Sequence, residues 1–347
     1  MRFAPRYCPR PLCPSARSHH FRWRRKGYFR RQCDGRFVQR FLCLECGRFF
    51  SIQSFRLDYR LRKPHLHFAL FRDFVSKTTM RQSARTLGCT RRTVAHRLKL
   101  LGEHCRAFHE ARLEQARACG GIRGVFQLDE LESFEHSRRL RPITVPALIE
   151  RKSYFVVHAE TAPLPARGGL TCALREKKIE RERMFGKRRS GSTRAVRRTF
   201  AVLARVHAAR GPIDLQTDRK QSYIGSARST LGPRVRHERH SSTRKRDYQN
   251  PLFPINHTFA MLRDGISRLV RRSWAASKLR ERLDLHLWIW IVYRNYVRGI
   301  TNRAPHVTPA MALGIEARQG FAAELLGWKT LSLCSRSGAT KGATFGA

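Results

Sequence analysis

Acidic residues are scarce in this sequence: Asp and Glu together number 25, against 71 Lys and Arg. The formal net charge is +46, a self-repulsion that a folded chain tolerates best when a polyanion screens it. Nucleic acid is the polyanion expected first, and an anionic membrane surface is the other possibility. Long apolar runs are lacking too. The longest, around Leu285 to Val292, is broken by His286 and falls far short of the roughly 20 residues a membrane span needs. The opening segment MRFAPRYCPR has charge but no apolar stretch after it, so no secretory signal is expected. These absences point to a cytoplasmic protein, in bacteria one associated with the nucleoid. In a reducing compartment the 10 cysteines are not a disulfide framework.

What is present is enough for a folded protein. At 347 residues the chain has about two domains' worth of length by a prior of roughly 100–200 residues each. Its 41% hydrophobic content can fill at least one core. A histone-like or ribosomal protein shares the charge but rarely this length, or 5 Trp and 21 Phe.

Cysteines crowd the N-terminus: Cys8, Cys13, Cys33, Cys43 and Cys46. Cys43-Leu-Glu-Cys46 is a C-x2-C pair followed by Gly47, the sequence of a tight metal-binding turn. Cys8 and Cys13 make a second pair. Between the pairs, aromatic and basic residues alternate, with Asp34-Gly35 suited to a hairpin turn. The expectation is a zinc ribbon over residues 1–60. Cys8, Cys13, Cys43 and Cys46 hold a structural Zn2+, and Cys33 is spare. So small a segment has little core without the metal.

After the break at Lys63-Pro64 comes an amphipathic helix, HFALFRDFVSK, and then a helix-turn-helix pattern. Ala84 is small where helices cross, Gly88 suits the turn, and Thr90 caps the next helix. That helix, about 91–101, directs Val94 and Leu98 inward and leaves Arg91, Arg92, His96 and Arg97 to face a DNA groove. A further helix over 105–118 completes a domain at 64–118.

The segment VFQLDELESFE reads as a strand ending in carboxylates. Two more strands follow, near 143–150 and 154–160, then a basic insert at about 175–199, a helix, and the strand IDLQTD ending in Asp218. In a β-β-β-α-β fold the first and fourth strands lie side by side, which brings Asp129 next to Asp218. Two carboxylates with phosphate oxygens suit Mg2+ or Mn2+ and phosphodiester chemistry. Glu130 and Glu132 read as supporting or solvated groups. The helix beginning near Ile255 turns Arg263, Arg268, Arg271 and Arg272 to DNA and packs through Ile266, Leu269 and Val270. Leu283, Leu287, Trp290 and Ile291 bury a second helix against the sheet.

The pieces CLECGRFFS, LDELESF, QTDRKQSYIG and NPLFPINHTFAMLRDGISRLVRR, in that order and spacing, resemble bacterial insertion-sequence transposases of the DDE superfamily. The likeness reaches to about residue 315. It implies a multi-domain protein: zinc ribbon, all-α helix-turn-helix, then an α/β RNase H-like catalytic domain at 122–315 with a mixed five-stranded sheet. It implies metal-dependent DNA cleavage and transfer at the element's terminal repeats, acting on element ends and target as a homo-oligomer on double-stranded DNA. The family's third acid, a Glu, falls here on Asn256, a neutral and weaker ligand; Asp264 and Glu238 are nearby acids. The catalytic set is thus Asp129, Asp218 and Asn256, and a weakened or inactive DNA-binding descendant is the alternative. Residues 331–347, rich in Gly, Ser, Ala and Thr, are expected to be disordered.

Overall fold

The computed structural model describes residues 4–328, apart from 6, 11, 17–20, 33, 209–210, 242, 246 and 271–274. The tail at 331–347 and Cys33 lie outside the described residues. The chain divides into two compact units, one holding Met1–His65 and the other Leu66–Leu325.

The first unit is an antiparallel sheet of β1 (Trp23–Arg30), β2 (Phe37–Cys43) and β3 (Phe49–Ser51), in that order. The β1–β2 hairpin turns where Asp34-Gly35 predicts it: Gly35 has φ +69°, and its N–H donates to the Arg31 carbonyl at 2.8 Å. Arg31 anchors the loop through Gln53 (2.7 Å) and Asp58 (3.1 Å). The core consists of Phe41, Phe50 and the cysteines, with Trp23, Phe21 and Phe55 packed around it. Phe41 stacks on Phe50 at 5.5 Å, and Trp23 meets Phe41 edge-on at 5.3 Å. This is a thin core for a free-standing unit.

In the second unit, α1 (Leu66–Val75), α2 (Met80–Thr86) and α3 (Arg91–Ala118) precede the large sheet. Thr79 and Gln82 form a capping box on α2. Gly88, at φ +56°, supplies the turn. Thr90 caps α3 by accepting from the Thr93 N–H at 3.2 Å. Where two helices were expected, α3 runs unbroken for 28 residues. Gly102 does not interrupt it, because its missing side chain admits α8 (Arg280–Tyr296): a Cβ there would lie 2.7 Å from the Leu285 carbonyl oxygen. Gly102→Val should therefore separate the two helices and cost about 1–3 kcal/mol, read as a lowered urea midpoint.

The expected helix-turn-helix domain is not a compact unit of its own. Its helices share a core with the sheet-bearing part: α3 packs on α8, and α1 on both. His109 of α3 makes the tie explicit. Its ring bonds the Val157 carbonyl and the Tyr296 hydroxyl, each at 3.0 Å.

The large sheet contains β4 (Val125–Phe134), β5 (Pro142–Glu150), β6 (Val156–Ala159), β7 (Ala162–Pro163), β8 (Ile213–Asp218) and β9 (Val235–His240). The order is β6-β5-β4-β8-β9, with the short β7 on β5. Six strands replace the expected five, because Ala162–Pro163 returns to pair with Ile143 and Thr144. β4/β5 and β5/β6 are antiparallel; β4/β8 and β8/β9 are parallel. Every residue of β5 is buried, as its near-continuous apolar run requires.

The helices of this half are α4 (Cys172–Phe185), α5 (Ser192–Val206), α6 (Ser222–Leu231), α7 (Phe253–Gly265) and α8. α5 covers β5 and β6 with Ala195, Val196, Phe200 and Leu203. α4, in the basic insert, buries nothing. Leu283, Leu287, Trp290 and Ile291 of α8 are all buried, as expected. Among the described residues, no helix is long and apolar enough to cross a membrane.

His109 and His286 are buried as neutral rings. Burial pushes their pKa values down, to about 4 for His109 and about 3 for His286, the latter also opposed by nearby Arg268. Both lie below the unfolded value near 6.5, so their contribution is complete above about pH 6.5 and drains away as the pH falls toward those folded values. Acid titration should show a falling urea midpoint between pH 6.5 and 4, and His109→Gln should flatten part of that fall.

Candidate metal sites

The first site is built from turns. Gly47, at φ +64°, lets the chain curl after Cys46, and its N–H donates to the Cys43 carbonyl at 3.0 Å. On the other side, the Cys8 N–H donates to Ser15 and the Cys13 N–H to Arg10. These turns bring the sulfurs of Cys8, Cys13, Cys43 and Cys46 within 4.8 Å of one another. Cys8–Cys46 and Cys13–Cys43 are each 3.8 Å apart. A tetrahedron with Zn–S of about 2.3 Å has edges of about 3.8 Å, whereas a disulfide would need about 2.05 Å. The four thiols therefore fit one tetrahedral ion such as zinc, with no position left open for substrate. Burial pushes the Cys8 thiol up. At Cys46 burial acts the same way, but the Arg48 N–H and the neighbouring thiols outweigh it and bring that thiol down to about 7.

The second site lies on the large sheet. Leu128 of β4 pairs with Thr217 of β8 in parallel register, so the next residues, Asp129 and Asp218, stand side by side where β8 ends. β4 does not end at the carboxylates as expected but runs on to Phe134, paired with β5. Alternation along the strands puts Asp129 on the face of Gln127, and Asp218 on the face of Gln216. These two glutamines bond each other at 2.9 Å, so the aspartates share that face.

A polar ladder fixes the neighbourhood. The Ile255 N–H in the first turn of α7 donates to Gln127 at 3.2 Å, Gln127 donates to Gln216, and Gln216 donates to Glu238 at 2.9 Å. The start of α7 is thereby held over the row directly below the aspartates. Asn256 is the next residue. Its Nδ2 donates to the Leu252 carbonyl at 3.0 Å, a bond that does not use its Oδ1. Asp218 is oriented by the Lys220 N–H at 2.9 Å, and Asp129 by the Glu130 N–H at 2.7 Å. His240 stands opposite Asp218 on β9. The other nearby acids are engaged elsewhere: Asp264 is exposed and pairs with Lys77, and Glu238 ends the ladder. His257 packs between Phe253 and Tyr154.

Of the two readings given for Glu130, supporting or solvated, the structure shows a buried group with many partners. On the opposite sheet face from Asp129, its carboxylate is buried and accepts from Thr144 (2.7 Å), Ser192 (2.8 Å), Tyr223 (3.0 Å) and Lys220. Burial, then Glu130, Asp129 and Asp218, push the Tyr223 phenol far up, so it remains a donor. Glu132 is by contrast exposed and paired with Arg167. Glu135 is another hub, holding Arg141 and, from the expected basic insert, Arg188.

The residues expected to touch DNA divide. Arg91, Arg92 and His96 are exposed on the first turns of α3. Arg97 is 4% exposed and does not face a groove. The stripe Val94, Leu98, Leu101, Cys105 is the buried face of α3, and a residue three after Val94 joins it. Arg268 is likewise buried, with Nη2 3.4 Å from the Met80 sulfur, and burial lowers it to about 10. The expected helix continued through it, but α7 ends at Gly265, where any side chain would strike the Trp290 indole at 2.6 Å. Arg263 is half-buried; Arg271 and Arg272 lie outside the described residues. In the ribbon unit, Arg24, Arg25, Lys26 and Arg30 line the exposed strand β1.

No protein-family model matches the chain, and no curated protein matches it.

Proposed function

We propose that this protein is a transposase: it binds DNA and cuts and joins DNA strands with divalent metal ions at Asp129 and Asp218. The observation carrying this reading is the placement of two aspartates, 89 residues apart in sequence, side by side on one face of adjacent parallel strands, with the start of α7 held beside that row. The strand order β6-β5-β4-β8-β9, with one antiparallel half and one parallel half, supports an RNase H-like reading of the sheet.

The donor set suits Mg2+ or Mn2+: two carboxylates and an amide oxygen, all hard ligands, leaving room for water and phosphate oxygens. Bound there, such ions supply an activated hydroxyl and stabilise the leaving oxygen of a phosphodiester. The chain's own part is to hold the two carboxylates at fixed spacing and orientation. Arg91, Arg92 and His96, with the basic strand β1, supply phosphate contacts. The zinc group holds the ribbon together and takes no part in the chemistry.

A second reading, a DNA-binding protein that no longer cuts, has one observation in its favour: Asn256 is neutral where an acid would hold metal more tightly. Supercoiled plasmid separates the two. A transposase gives nicked circles with Mn2+ and none with chelator; plasmid retarded on a gel but never nicked supports the second reading.

A further inference from the structure

Each aspartate is steered by the backbone N–H of one neighbour: Asp129 by Glu130, Asp218 by Lys220. Those two neighbours are themselves joined. The Lys220 ammonium donates to the Glu130 carboxylate from a position 90 residues away in sequence. The Glu130 side chain is only 7% exposed, and Thr144, Ser192 and Tyr223 fix it from three further elements. Ser192 also lies 3.1 Å from the Lys220 ammonium. The result is a continuous path from one aspartate to the other: Asp129 carboxylate, Glu130 N–H, Glu130 carboxylate, Lys220 ammonium, Lys220 N–H, Asp218 carboxylate.

We propose that the Glu130–Lys220 pair is a positioning device that fixes the relative placement of Asp129 and Asp218, acting from the opposite face of the sheet. This rests on reading those aspartates as metal ligands. The strand register alone sets how the two main chains lie; it does not set the carboxylate orientations. Asp218 is the last residue of β8, and Lys220 lies in the turn beyond it, where no ladder bond restrains the chain. Tying that turn to a carboxylate held by three other donors restrains it. A residue that orients a metal ligand typically matters 10–100-fold in affinity.

The test separates orientation from charge. If Lys220 acted only through its charge, removing it would tighten cation binding; if it positions Asp218, removing it loosens binding. Mn2+ affinity is measured by electron paramagnetic resonance on the zinc-loaded full chain, with folding checked by circular dichroism. The expected result is that Glu130→Gln and Lys220→Met each weaken Mn2+ binding by about tenfold or more, that the double variant is no worse than either, and that Lys220→Arg restores most of the affinity. Should Lys220→Met not fold, Lys220→Gln, which keeps donors but not charge, is expected to weaken binding in the same way. Unchanged or tighter binding in the neutral Lys220 variants, with native Mn2+ binding intact and lost in Asp129→Ala, overturns the positioning role alone. Absence of any Mn2+ binding that Asp129→Ala removes overturns the metal-site reading, and the positioning role with it.

Discussion

Asp129→Ala and Asp218→Ala are each expected to reduce Mn2+-dependent DNA nicking by on the order of 10³-fold or more, while DNA affinity stays the same or rises. The first part follows from ligand loss. A divalent ion supplies several kcal/mol of charge stabilisation to a phosphodiester transition state, and each 1.4 kcal/mol is a factor of about ten. Removing one of two carboxylates leaves one carboxylate and a neutral amide, too weak a set to hold the ion in place. The second part follows from electrostatics. On a chain of net charge +46, the aspartates are the local repulsion toward phosphate, and their removal relieves it. Quantitative nicking rates and gel-shift affinities of the same preparations check both. Parallel loss of binding and cleavage would mean that the aspartates hold the fold rather than the metal.

Stripping zinc, or replacing Cys43 by Ser, is expected to unfold the first unit and leave the second folded. The core of residues 4–65 is a few aromatic rings around the four cysteines. Below about 70–80 residues a core rarely supplies more than about 3–5 kcal/mol, whereas a structural zinc ion contributes roughly 10–16 kcal/mol of apparent binding energy. A zinc ion held by the four cysteines would therefore contribute more to the unit's stability than its apolar core does. Without it, Cys8 and Cys43 are buried thiols that burial drives toward the protonated form. Amide exchange should show protection lost over β1–β3 and retained over β4, β5 and α8. Protection of β1–β3 that survives chelation would contradict a zinc-held ribbon.

The parts legible in the sequence were those encoded locally. Gly47 after a C-x2-C pair, Asp34-Gly35 at a hairpin and Thr90 at a cap are each short-range signals, and each lies where expected. Asp129 and Asp218 could be paired from the sequence because the adjacency of their strands follows from strand order, although Asp129 proves to lie within β4 rather than at its end.

What was not legible depended on partners far along the chain. Glu130 reads like any acid beside Asp129, and its role comes from Ser192 and Lys220, 62 and 90 residues on. Arg97 looks like a groove residue because it is charged, yet its position three after Val94 places it on the buried stripe. Arg268 was expected on a helix that stops three residues earlier, and the tight fit that requires glycine at its last position comes from Trp290 of another helix. The helix-turn-helix pattern was readable, but its merger with the sheet-bearing unit was not. That merger depends on Gly102 meeting Leu285 and on His109 bonding to Val157 and Tyr296.

The proposed metal-dependent cutting at Asp129 and Asp218 is tested most directly by cleavage of an end-labelled duplex carrying the inverted repeats that an insertion element would place at its ends. The native chain and Asn256→Glu are compared across a Mn2+ titration. The native chain is expected to cut, and Asn256→Glu to cut at lower Mn2+, because an added carboxylate on α7 would tighten an ion held by Asp129 and Asp218. Binding of the duplex by both proteins with cleavage by neither would contradict a transposase.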